Sequence, residues 1–151
     1  MDTRKRLARG LFAAIACLAA ASASAQQALS KSECPQPRFT GSAPQEYLER
    51  KNPVPDGADL GRARSIYMGD GDRVSCAKCH GEAGDGRGPM SAMFDPHPRN
   101  FRCAQTVTGI PDGQLFWVIR FGSPGTSMPP HPKLSDEQIW QLVAYLRQLA
   151  R

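Results

Sequence analysis

Cys76-Ala77-Lys78-Cys79-His80 is the stretch that decides how this chain is read. Two thiols three positions apart reach the two vinyl groups of one haem as thioethers. The adjacent His80 is then held beneath the iron as its proximal ligand, through Nε2. Cys-x-x-Cys alone also serves zinc and dithiol chemistry. A zinc site wants a second ligand pair at short spacing, and Cys17, Cys34 and Cys103 stand singly. A thioredoxin-like dithiol wants a βαβ pattern around it, and none is present. The residues therefore point to one covalent haem c on Cys76, Cys79 and His80.

The N-terminus agrees with that chemistry. Arg4, Lys5, Arg6 and Arg9 form a positive region, and Leu11 to Ala21 an apolar core too short to span a bilayer. Ala23-Ser24-Ala25 is a small-x-small cleavage site. Residues 1–25 read as a cleaved signal peptide that delivers the chain to the periplasm. A lipoprotein cut before Cys17 is disfavoured, because Ala14 stands where such sites usually carry Leu. An uncleaved anchor is the remaining reading. The whole chain holds 19 basic and 14 acidic side chains, a net of +5. Without residues 1–25 the balance is 15 against 13, so the basic character lies mostly in the leader peptide. No basic stripe with interleaved aromatics points to nucleic acid. The remaining 126 residues suit a single domain.

That mature chain divides in two. Residues 26–57 form a Pro-rich extension whose prolines, Pro35, Pro37, Pro44, Pro53 and Pro55, preclude a long helix or central strand. One short helix is expected over Gln45–Arg50, capped by Ser42 and stopped by Asn52-Pro53. A solvated extension is expected in preference to a partner-docking arm. Residues 58–151 read as helices joined by Gly- and Pro-rich loops. The first runs from Ala58 to about Met68, capped by Asp56 or Asp59 and broken at Gly69-Asp70-Gly71-Asp72, with Leu60, Ala63, Ile66 and Tyr67 on one face. Gly61 on that side would let another helix approach closely. A short turn carries Cys76 to His80. The second helix starts near Pro111 and ends at Gly122. The third starts at Ser135, which forms a capping box with Gln138, and presents Ile139, Leu142, Val143, Leu146 and Leu149. No run shows strand alternation, so the fold class is all-α, with three main helices around one haem.

The sixth iron position has six candidates: Met68, Met90, Met93, Met128, His97 and His131. Met128 is preferred. It lies 48 residues after His80 on the Pro-stiffened stretch Ser127-Met128-Pro129-Pro130, between two helices, where the chain can wrap the haem edge. His131 and His97, both flanked by prolines, are the alternatives, and Met128 as a plain loop hydrophobe is the bland reading.

In order along the chain, Gly61 to Tyr67, Cys76-x-x-Cys79-His80, Gly88-Pro89 and Met128-Pro129 before an amphipathic helix resemble a class I cytochrome c over roughly Pro55 to Arg151. Cys79-His80-Gly81, Gly84-Asp85-Gly86 and Pro98-Arg99-Asn100-Phe101 are similar to the small bacterial periplasmic branch that includes cytochrome subunits of cbb3-type oxidases. The resemblance implies that the Pro89 carbonyl accepts a hydrogen bond from His80 Nδ1. It also implies that the first and last helices cross near Gly61 and Tyr145 or Trp140. The extension and the extra pair Cys34 and Cys103 depart from the family pattern. In an oxidising compartment that pair is a disulfide candidate, against two separate thiols.

Iron held by His80 and Met128 is coordinatively saturated, and a thioether ligand favours the ferrous state. The expected function is transfer of single electrons, with no enzymatic activity. Docking to a dehydrogenase, copper protein or terminal oxidase would be small and transient. The rivals are a gas-binding or catalytic haem with an open sixth position, and a fixed subunit of a larger oxidoreductase complex. Gly84-x-Gly86-x-Gly88 follows no strand and is no nucleotide fingerprint.

Overall fold

Ser135 starts the longest helix as its residue type dictates. Its hydroxyl accepts from the Gln138 N–H at 3.2 Å, and the Gln138 side chain accepts from the Ser135 N–H at 2.9 Å. The computed structural model describes residues 34, 36, 40–69 and 75–150. The helices among them are α1 (Gln45–Leu48), α2 (Gly61–Met68), α3 (Ala77–His80), α4 (Ala104–Val107), α5 (Asp112–Phe121) and α6 (Asp136–Leu149), with a 3-10 turn at Ser91–Met93. No strand occurs among the described residues, and the fold is all-α. The expected signal peptide over residues 1–25, with Cys17 and Ala23-Ser24-Ala25, and also Pro35, Pro37 and the Asp70-Gly71-Asp72 part of the expected break lie outside the described residues.

α6 is the central element, packed between α2 and α5. Its apolar stripe and the two aromatics that flank it, Trp140 and Tyr145, are covered from two sides. Trp140 faces α5 and lies 4.5 Å from Phe116 between ring centroids. Tyr145 faces α2 and meets Tyr67 edge-on at 5.4 Å. Ile139, Leu142, Val143 and Leu146 fill the space between and are buried. Fully burying an aliphatic side chain of this size stabilises by about 1.5–3 kcal/mol.

α5 runs where the sequence predicts, from the cap Pro111 to Gly122, whose φ of 82° ends it. α2 begins later than Ala58. The Asp59 carboxylate accepts from the Gly61 N–H at 2.9 Å, so the chain turns there before the helix starts. Gly61 is exposed, and a Cβ there would meet only Asp59. The crossing with α6 is therefore made through Tyr67 and Tyr145, not at Gly61. The close-approach glycine is Gly113 in α5, where a Cβ would collide with the Tyr47 carbonyl, whose carbon stands 2.6 Å away.

That contact belongs to the extension, which is not a solvated arm where the structure describes it. Ala43 is buried, its N–H donates to Gln114 Oε1 at 2.7 Å, and Gln114 Nε2 donates to the Gly41 carbonyl at 3.0 Å. Asn52 donates to the Trp140 carbonyl at 3.0 Å. The Arg50 guanidinium sits 4.4 Å from the centre of the Phe116 ring. α1 ends at Leu48 rather than Arg50 and carries no side-chain cap, and the Ser42 hydroxyl donates instead to the Ala43 carbonyl at 3.3 Å. Further back, the sulfurs of Cys34 and Cys103 lie 1.96 Å apart, with their Cα atoms 5.4 Å apart.

Candidate functional site

One turn of helix assembles the attachment residues. The His80 N–H donates to the Cys76 carbonyl at 2.8 Å, which closes α3. Cys76, Cys79 and His80 thereby stand at i, i+3 and i+4, on a single face. The turn is clamped from behind by the glycine of Gly88-Pro89. Gly88 N–H donates to the Cys79 carbonyl at 3.2 Å, and a Cβ on Gly88 would strike the Ala77 and Lys78 carbonyls. Tyr67 fixes the exit of the turn, donating from its buried hydroxyl to the Gly81 carbonyl at 2.7 Å. Burial raises the Tyr67 phenol far above its ordinary range, so it remains a donor.

The His80 ring is held on two sides. It stacks on Phe101, with centroids 4.5 Å apart and planes 23° apart. Its Nδ1 lies 3.0 Å from the carbonyl oxygen of Arg99. The resemblance implies the Pro89 carbonyl as this acceptor, whereas in the structure it is the Arg99 carbonyl, on the 98–101 segment, that meets the ring nitrogen. A carbonyl oxygen can only accept, so the contact calls for a proton on Nδ1. That tautomer leaves the Nε2 lone pair for a metal.

The two thiols, Cys76 and Cys79, are free and half-buried. Burial pushes the Cys76 thiol up to about 11 and raises that of Cys79 as well. A redox dithiol has the opposite property, a thiolate stabilised near neutral pH. Among the described residues no group of three or more His, Cys, Asp or Glu side chains is placed to hold a metal ion.

Cys76, Cys79 and His80 open onto a cleft of about 1030 Å³, counted with its mouth. Leu115, Val118 and Ile119 of α5 and Leu146 of α6 give it apolar walls. The loop after α5 also lines it, with Met128, Pro129 and His131. That loop is folded back on the helix end: Ser123 N–H donates to the Met128 carbonyl at 3.2 Å, and His131 N–H to the Ile119 carbonyl at 3.1 Å. Of the six candidates for a distal ligand, Met128 and His131 line the cleft, whereas Met68, Met90, Met93 and His97 do not. Met93 is 73% exposed and points away from any core. Burial holds the His131 imidazole below its usual range, in its neutral form.

Two thiols, an imidazole and a thioether that line one cleft together with aliphatic side chains are a donor set that fits a covalent haem. Sequence reasoning missed Arg99 as the Nδ1 acceptor, because a backbone carbonyl has no residue-type signature. It also missed Gln114, which lines the cleft and ties the extension to α5.

Residues 61–150 match the family model described as Cytochrome c. Among solved structures, the chain is similar to one of the Kuenenia stuttgartiensis reducing HAO-like protein complex, at 27% identity and a TM-score of 0.49. The match covers 70% of this chain and 55% of that one, so this chain spans little more than half of its length.

Proposed function

Since this chain belongs to the cytochrome c family, and so carries covalently attached haem c for electron transfer, we propose that it is a periplasmic single-electron carrier with His80 and Met128 as axial ligands. The observation that carries this reading is that Cys76, Cys79, His80 and Met128 all line one apolar cleft. The bound cofactor supplies a ferric/ferrous couple that changes by one electron.

The chain's own residues do the rest. Cys76 and Cys79 fix the cofactor covalently, and the Arg99 carbonyl sets the orientation and basicity of His80. Met128, delivered by the folded-back loop, closes the distal side. Leu115, Val118, Ile119 and Leu146 keep water from the metal and limit reorganisation when the charge changes. With His80 and Met128 both holding the iron, no position would be left for a substrate, which supports a carrier rather than an enzyme. Electrons would enter and leave at the cleft mouth near Pro129, in brief encounters with a dehydrogenase, a copper protein or a terminal oxidase. Export by the 1–25 signal peptide places haem attachment in the periplasm. In that oxidising compartment the close approach of Cys34 and Cys103 is read as a disulfide.

An optically monitored potentiometric titration tests the carrier role. A single one-electron transition and no carbon monoxide uptake by the ferrous protein are expected. Ready carbon monoxide binding by the wild type would contradict a saturated iron.

A further inference from the structure

Resting on the assignment of His80 as iron ligand, we propose that Gln36, a residue outside the matched family span, is a positioning residue for that ligand. It acts through a single peptide group. Gln36 Oε1 accepts a hydrogen bond from the Asn100 N–H at 2.8 Å. The Arg99 carbonyl accepts from His80 Nδ1 at 3.0 Å. That N–H and that C=O are the two ends of one planar peptide unit. Gln36 and the His80 ring are therefore joined by a chain of two hydrogen bonds with a rigid plate between them.

Two consequences follow from elementary electrostatics. A peptide whose N–H is engaged is polarised, and its carbonyl becomes a better acceptor. The Nδ1–H bond of His80 is then stronger, the imidazole more basic, and ferric iron better stabilised. Because the peptide is planar, Gln36 also fixes where the carbonyl points. Gly86 lies against the same plate: a Cβ there would stand 3.3 Å from Asn100 N and 3.4 Å from Arg99 C. The other end of the relay is anchored too. The Gln36 N–H donates to Thr106 Oγ1 on α4 at 3.0 Å. Cys34, two residues earlier, meets Cys103 at the N-terminus of α4. The extension thus reaches the proximal side of the haem site through the Asn100 N–H.

The test compares the haem-loaded wild type with Gln36→Met and Gln36→Glu. The readouts are the midpoint potential and the exchange of the His80 Nδ1 proton in the ferrous protein, followed by NMR. Gln36→Met removes the acceptor at similar volume. An upward shift of the potential and faster exchange are expected, with haem attachment unchanged. Gln36→Glu keeps an acceptor oxygen and should keep the proton as protected as in the wild type, a rescue that added charge alone does not provide. Wild-type potential and exchange in Gln36→Met, or loss of protection in Gln36→Glu, would overturn the relay. Absence of iron-shifted His80 ring resonances in the wild type would instead overturn the ligand assignment beneath it.

Discussion

Gly113 of α5 lies directly against the carbonyl of Tyr47, with no room for a Cβ between them. The contact joins the N-terminal extension to the haem-bearing body, backbone to backbone. The obstructing atoms are main-chain, so they cannot rotate away. Gly113→Ala should therefore destabilise the protein by about 1–3 kcal/mol, despite the better helix propensity of Ala. Denaturant unfolding of the haem-loaded protein measures it, and an unchanged midpoint would show that the extension is loosely docked.

Arg147 ties three elements together at the far end of α6. Its Nε and Nη2 donate to Asp112 Oδ1 at 3.0 and 2.6 Å, Nη1 donates to the Val107 carbonyl, and Nη2 donates also to the Ile110 carbonyl. Arg147→Ala should cost about 1.5–3 kcal/mol, as for hydrogen bonds to a charged group. Arg147→Lys should recover little of it, because an ammonium cannot reproduce the forked geometry. Full recovery by lysine in thermal unfolding would mean that charge alone matters there.

A bridge between Cys34 and Cys103 would close a loop with a sequence separation of 69. A cross-link of that span stabilises by about 3–5 kcal/mol in the chain-entropy account. Intact-mass measurement of the oxidised haem protein should find two hydrogens fewer than for free thiols, and reduction should lower the unfolding temperature. Two alkylatable thiols in the native, unreduced protein would refute the bridge and leave the electron-transfer reading intact.

Replacing both attachment residues, Cys76→Ala with Cys79→Ala, should abolish covalent haem and leave a poorly folded chain, because the cleft walls lose what they pack against. Haem that still resists acid-acetone extraction from the double variant would count against this attachment site.

The parts legible in the sequence are those whose information is local. Ser135 with Gln138, and Pro111 with Gly122, carry their own start and stop chemistry, so α6 and α5 fall where expected. Cys76, Cys79 and His80 are named by residue type and spacing alone. Gly61 and Gly113 show where local reading fails. Both are helix glycines, and only the path of a distant segment makes Gly113 the close contact. α2 starts later than the apolar spacing predicts because Asp59 is used for a turn ahead of the helix. Pro89 was replaced by Arg99 as partner of His80 because the partner is a carbonyl, and every residue has one. The extension looked solvated because its prolines hide the polar bonds, Gln114 to Ala43 and Gly41, that hold it down.

Met128 separates an electron carrier from a haem with an open position, and the near-infrared spectrum of the ferric protein tests it most directly. The wild type should show a weak sulfur-to-iron charge-transfer band. Met128→Ala should lose that band and lower the potential, since the thioether favours ferrous iron, whereas Met90→Ala and Met93→Ala should retain it. A band that survives Met128→Ala, or a wild type that lacks it, would contradict Met128 ligation and with it the saturated His80–Met128 iron.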